Sequence, residues 1–328
     1  MSTAQKILNG LDRILTLELA RVTECAAVAS ARWRGHGDEK AADQAAVTAM
    51  RQELNRLPID GTVVIGEGER DEAPMLYIGE KVGVKDGVAV DIALDPLEGT
   101  TVCAKGLANS LAVVALSEKG NLLYAPDVYM EKIAIGPGYP KGIVDIDANP
   151  AENVYALAKA KGVAVNKITV CIMDRPRHKQ LINQVRATGA SIRLIGDGDV
   201  AAVIHTTDPD EMGVDIYMGI GGAPEGVLAA AALRCIGGQM QGRLQLDTEE
   251  KIARAAKMGI ENPNKVYTLE EMVKGDVLFS ATGVTDGNIL SGVKFTPQYI
   301  QTETIVMRSY TRTIRNIKAQ HRDLLKFD

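Results

Sequence analysis

Two carboxylates three residues apart, Asp95 and Glu98, are the first groups in this chain equipped to do chemistry. They follow residues 87–94, an apolar, β-branched run that reads as a strand buried on both faces. Pro96 has no N–H to continue a ladder, so the strand is expected to end at Asp95-Pro96 and the chain to turn there. Gly99 lets the backbone approach a ligand, and Thr100 and Thr101 supply hydroxyls. Carboxylates at a strand end suit hard divalent cations, which take oxygen ligands and often share them with phosphate. A neighbouring hydroxyl and exposed N–H groups suit a phosphoryl group or the water attacking it. Asp-Pro-x-Glu-Gly by itself also makes an ordinary polar turn; the weight comes from its company.

A second acidic strand end precedes it. Residues 61–66 read as a short strand that delivers Glu67-Gly68-Glu69-Arg70-Asp71-Glu72, four acids in six residues. Such a run is commonly a solvated turn, but here glycines flank Glu67 and an apolar strand leads in, as at sites in open α/β sheets. Further along, Pro224-Glu225 fits the first turn of a helix, where Glu225 would aim its carboxylate at a neighbouring cation. Asp43 stands near the start of another helix, a position that the helix dipole alone would explain.

The 328 residues are long for one core, 46% are hydrophobic and 24% charged, and the net charge is −5. No basic patch with interleaved aromatics appears, which argues against nucleic acid as a partner. The acidity would oppose an anionic substrate, and a bound divalent metal answers that. Cys25, Cys103, Cys171 and Cys235 are far apart, as are the four histidines, so neither a disulfide framework nor a zinc site is expected and oxygen ligation is. With no run of ~18 apolar residues and no signal-peptide pattern, a cytoplasmic protein without membrane contact is expected.

Around these residues the periodicity predicts helices over 7–32 and 42–57, broken by Gly35-His36-Gly37. Residues 110–118 and 122–124 read as a hairpin, and 128–135, carrying Tyr129 and Lys132, as an extended segment. Loop punctuation near 150 divides the chain into an N-terminal metal-binding α+β domain, 1–150, and a C-terminal α/β domain, 151–328, with the active site in the cleft between them. From 151 helices and strands alternate: helix 151–161, strand 167–173, helix 177–188, strand 191–195, helix 199–205, strand 214–219 and helix 225–236. Their strand ends are polar: Asp174-Arg175-Pro176-Arg177-His178, Gly196-Asp197-Gly198-Asp199 and Gly219-Ile220-Gly221-Gly222. Gly-x-Gly-x-x-Gly spacing is absent, so a dinucleotide fold is set aside. Helices near 248–258 and 268–274, a strand at 276–281 and β-rich segments at 302–309 and 311–318 complete a mixed α/β (α+β) chain.

Asp95-Pro96-Leu97-Glu98-Gly99-Thr100 resembles the signature of the lithium-sensitive, metal-dependent phosphomonoesterases. Ala41-Ala42-Asp43-Gln44, Ile65-Gly66-Glu67-Gly68-Glu69-Arg70-Asp71-Glu72, Asp197-Gly198-Asp199-Val200, Gly221-Gly222-Ala223-Pro224-Glu225-Gly226 and Ala281-Thr282-Gly283-Val284-Thr285-Asp286-Gly287 narrow it to class II (GlpX-type) fructose-1,6-bisphosphatases. The resemblance implies the layered α-β-α-β-α sugar-phosphatase fold. It implies a cluster of Asp43, Glu67, Asp95, Glu98 and Glu225 holding Mg²⁺ or Mn²⁺. Thr100 would act on or beside the attacking water, oriented by Asp43 or Asp71, with Glu69 and Lys40 among the catalytic candidates. Asp43 is either a metal ligand or the group that orients Thr100. The sugar bisphosphate would be gripped by Glu98, Gly99, Thr100, Tyr129, Arg175, Pro176, Arg177, Asp197, Gly198, Asp199 and Gly222. Two departures stand out: Asp38-Glu39-Lys40 is shifted against the family's acid–lysine pair, and Arg175 replaces a common lysine, changing the phosphate geometry. The implied activity is hydrolysis of the 1-phosphate of fructose 1,6-bisphosphate by a homo-oligomer, a dimer or tetramer. Action on sedoheptulose bisphosphate or an inositol phosphate, or a non-catalytic sugar-phosphate sensor, are the alternatives.

Overall fold

The computed structural model describes residues 11, 15–68, 73–84 and 87–327. Helix α1 (Leu15–Ala31) buries Leu15, Leu19, Val22 and Ala26 at helical spacing. Helix α2 (Glu39–Leu54) opens on Asp38, whose side chain accepts from the Ala41 N–H, and buries Ala42, Ala46, Met50 and Leu54. Strands β1 (Ile59–Ile65), β2 (Lys81–Val82) and β3 (Val88–Glu98), the short helix α3 (Thr100–Ala104) and β4 (Leu111–Glu118) follow. Next come β5 (Tyr129–Ile135), α4 (Pro150–Lys161), β6 (Thr169–Met173), α5 (Lys179–Ala187), β7 (Ser191–Ile195), α6 (Asp199–His205) and α7 (Pro209–Met212). After these stand β8 (Ile216–Gly222), α8 (Ala223–Ile236), β9 (Gln239–Leu244), α9 (Glu249–Lys257), β10 (Val266–Thr268) and α10 (Leu269–Met272). Strands β11 (Val277–Gly283), β12 (Lys294–Phe295), β13 (Ile300–Arg308) and β14 (Thr313–His321) close the series.

The chain divides into two units, one of residues 1–122 and 274–328, the other of residues 123–273. A boundary near 150 is therefore not where the chain divides. β5 hydrogen-bonds to β8 and β9 and so belongs with the later strands. Meanwhile β11 returns to pair with β4 along its whole length, carrying the C-terminal strands back to the first sheet. Pairing across that sequence distance leaves no trace in local periodicity.

In the first unit the sheet runs β12-β13-β11-β4-β3-β1-β2, with β14 on β13. Only β1 and β3 are parallel. Side chains of α1 and α2, among them Leu19, Val22 and Met50, pack with Ile92, Leu116 and Leu278 of the strands into one core. The ladder of β3 continues past Pro96. Asp95 faces Val113 and Glu98 faces Leu111, so three steps on β3 match two on β4. Proline, lacking a donor, sits inside this bulge instead of ending the strand. The expected hairpin is also absent: β4 lies between β3 and β11, and the Leu123 N–H donates to the Met272 carbonyl.

In the second unit the sheet runs β10-β9-β5-β8-β6-β7, with β6 parallel to β7 and β8. Ile133, Ile135, Ile216 and Met218 pack against Val154 and Leu157 of α4 and Ile182 and Val185 of α5. Lys132 and Tyr217, on the alternate positions, belong to the opposite face. Both units are thus mixed α/β, as the sequence pattern predicts.

Candidate active site

Three carboxylates of the first unit arrive on three elements. Asp43 projects from α2, Glu67 follows β1 across Gly66, and Asp95 stands at the β3 bulge. A Cβ on Gly66 would lie 2.1 Å from the Leu76 carbonyl oxygen, and the Glu67 N–H donates to that same oxygen at 3.1 Å. Only glycine lets the backbone enter this turn, so the acid after it is firmly placed. Burial, with the Asp95 charge added, pushes the Asp43 carboxyl up to about 6. Burial, then the charges of Asp43 and Asp95, pushes Glu67 up to about 8. Desolvated acids of one sign, held together, make one another hard to ionise.

Glu98 is buried, and one of its carboxylate oxygens lies within 4.8 Å of one of Asp95. Asp95 Oδ1 accepts the Leu97 N–H at 3.0 Å, which fixes its side chain across the bulge. Gly99 caps α3 with φ +79°, a left-handed conformation suited to glycine, and sets Thr100 as the first residue of that helix. Ser110 donates its hydroxyl to the Glu98 carbonyl at 2.9 Å and its N–H to Thr285 Oγ1 at 2.9 Å. Ser110 precedes β4 and Thr285 follows β11, and the pairing of β3, β4 and β11 brings both to the turn, which sequence spacing does not show. The donor set is all carboxylate oxygen, partly buried and mutually repelling. A hard divalent cation fits it, because its charge would offset the burial and the repulsion that together raise Glu67. Lys40 is exposed in the first turn of α2, one turn before Asp43. Glu69 and Asp71 lie outside the described residues.

The second unit gathers the other candidates. The Arg177 guanidinium stacks 4.7 Å from the Tyr129 ring centroid and donates through Nε and Nη2 to the Ile220 carbonyl at 3.0 and 2.7 Å. His178, which sequence reasoning missed as a site residue, holds the same residue from the other side. Its Nε2 accepts the Ile220 N–H at 2.8 Å while Nδ1 contacts the Met173 carbonyl at 2.8 Å, a neutral ring with the proton on Nδ1. Burial lowers its pKa, keeping it neutral. Arg175 and Pro176 begin the turn between β6 and α5. Asp197 Oδ1 accepts the Gly198 N–H at 3.1 Å, and Gly198, at φ +84°, caps α6 so that Asp199 is its first residue. Asp199 is buried in an ion pair with Lys132 of β5. Glu225 is the third residue of α8, after Ala223 and Pro224, and Gly222 is its N-cap.

Carboxylates clustered at strand ends, beside a glycine–threonine turn on a mixed α/β scaffold, are the equipment of a metal-dependent phosphatase. Residues 13–321 match the family described as bacterial fructose-1,6-bisphosphatase, glpX-encoded, and the chain belongs to that family. It is 48% identical over 336 residues to a D-fructose 1,6-bisphosphatase class 2/sedoheptulose 1,7-bisphosphatase of Synechococcus sp. (strain JA-3-3Ab), covering 95% of this chain and 96% of that one. It is 49% identical over 325 residues to fructose-1,6-bisphosphatase 1 class 2 of Escherichia coli (strain K12), with the same two coverages. No described helix is long and apolar enough to cross a membrane.

Proposed function

We propose that this protein hydrolyses the 1-phosphate of fructose 1,6-bisphosphate, giving fructose 6-phosphate and inorganic phosphate. The observation that carries the reading is the set of Asp43, Glu67 and Asp95, where burial and then the two neighbouring charges push Glu67 up to about 8. Asp43, Glu67, Asp95, Glu98 and Glu225 would hold Mg²⁺ or Mn²⁺. Bound there, divalent cations supply charge for the phosphoryl oxygens and acidify water. Thr100 would position the attacking water with its hydroxyl, which Asp43 or Asp71 would orient. Lys40 and Glu69 are the further candidates for charge and proton handling. Tyr129, Arg175, Pro176, Arg177, Asp197, Gly198, Asp199 and Gly222 grip the sugar and its second phosphate, whose binding energy holds the reacting phosphate in place. The protein is expected to work in the cytoplasm as a homo-oligomer.

The class 2 relative from Synechococcus is named for both fructose and sedoheptulose bisphosphates, which favours sedoheptulose 1,7-bisphosphate as a second substrate. Phosphate release from both sugars, with Mg²⁺, with Mn²⁺ and with excess chelator, tests the reading. Turnover of fructose 1,6-bisphosphate that chelator abolishes is the expected result. Activity unaffected by chelator, or tight binding of the sugar with no turnover, overturns it.

A further inference from the structure

Lys132 has no part in the function just proposed, yet it is among the largest fully buried side chains of the chain, 2% exposed. Its aliphatic stem passes under α8, so close that a Cβ on Gly226 would lie 3.3 Å from its Cδ. Its ammonium group pairs with the Asp199 carboxylate and donates to the Gly222 carbonyl at 2.7 Å. One cation from β5 therefore ties together the first residue of α6 and the N-cap of α8. The backbone is shaped around the pair. A Cβ on Gly221 would lie 2.0 Å from Asp199 Oδ2 and 3.1 Å from Lys132 Nζ.

A buried ion pair is poor equipment for stability alone, since apolar side chains of similar volume commonly stabilise as well or better. What an ion pair offers is direction. The charge fixes where the carboxylate points, and a second donor of the ammonium fixes a backbone carbonyl. We infer that Lys132 is a positioning residue for the sugar bisphosphate: it acts through Asp199 and Gly222, without touching substrate, to hold both in the orientation that grips the sugar. The inference rests on the proposed assignment of Asp199 and Gly222 to substrate binding.

A double-mutant cycle of wild type, Lys132→Met, Asp199→Asn and the double variant tests it, with KM and kcat for fructose 1,6-bisphosphate and the melting temperature read for each. Lys132→Met is expected to raise KM at least tenfold with kcat changed less than threefold. In the Asp199→Asn background the same substitution is expected to change KM no more than threefold, because only its hold on the Gly222 carbonyl is then left to lose. Where Lys132→Met fails to fold, Lys132→Arg, which keeps the cation but changes its geometry, takes its place in the cycle, with the same rise in KM at little-changed kcat expected. KM effects that multiply across the cycle, or a kcat that falls in step with melting temperature at unchanged KM, overturn the inference. A wild-type protein with no turnover of the sugar removes the assignment beneath it, a result distinct from all of these.

Discussion

Glu67 is held in a place that disfavours its charge. Partly buried and faced with Asp43 and Asp95, its carboxyl is pushed up to about 8, against 4.5 for the free side chain. A folded pKa above the unfolded one makes stability depend on keeping the proton. That stability is fully present below about 4.5 and is lost as the pH rises through about 8, because the unfolded chain ionises freely and the folded one resists. Asp43, pushed up to about 6, adds to the loss over the lower part of the same window. The chelator-treated protein is therefore expected to melt at progressively lower temperature between pH 5 and 8.5. Glu67→Gln should flatten that slope and leave the metal-free protein more stable at pH 8 by roughly 2 kcal/mol, about half the full linkage value because water reaches the site. Added Mn²⁺ should raise the melting temperature of wild type far more than that of Glu67→Gln. Parallel pH slopes for the two proteins would show that Glu67 is not under this strain.

At the scale of elements, the junction between β8 and α8 carries the tightest geometry in the second unit. The Asp199 carboxylate lies close against Gly221, and a Cβ on Gly222 would lie 1.8 Å from Glu225 Oε2. Asp199 cannot swing aside, being buried and held by Lys132. Gly221→Ala is expected to cost on the order of 2–3 kcal/mol, read as a fall in the urea midpoint, and to weaken substrate binding more than Ala substitution at exposed positions of α9. A Gly221→Ala protein with a wild-type midpoint would mean that Asp199 has room the packing does not show. These junctions also mark what the sequence made legible. Alternating apolar and helical rhythm located most strands and helices, and the polar residues at their ends named the carboxylates and the Arg177 turn. Yet β9, with its Gly242 and alternating buried residues, carries no strong strand signal and was not anticipated. Pro96 read as a terminator because a bulge depends on the partner strand, which a single strand cannot display. The bonds of Lys132 to Asp199 and Gly222 and of His178 to the Ile220 N–H span 67, 90 and 42 positions, distances at which local spacing shows nothing of the pairing.

The chain as a whole is one unit inserted into another. Residues 123–273 form a contiguous segment with a six-stranded sheet and a core of their own. Its ends are neighbours: the Leu123 N–H donates to the Met272 carbonyl at 2.8 Å. The host unit is closed in the same way, with the Lys274 N–H donating to the Asn121 carbonyl at 2.7 Å. Ends that meet mean that closing the inserted segment adds little chain entropy to what its own sheet already requires. Residues 123–273 expressed alone should therefore fold, giving a cooperative thermal transition by circular dichroism and dispersed amide resonances. The Lys132–Asp199 pair and the Arg177–Tyr129 stack lie entirely within it, so the isolated segment is expected to retain them while turning over no phosphate ester, since Asp43, Glu67 and Asp95 are in the host. A broad, non-cooperative melt would show that the segment depends on the host for its core, because nothing in its own sheet or helices would then suffice to order it.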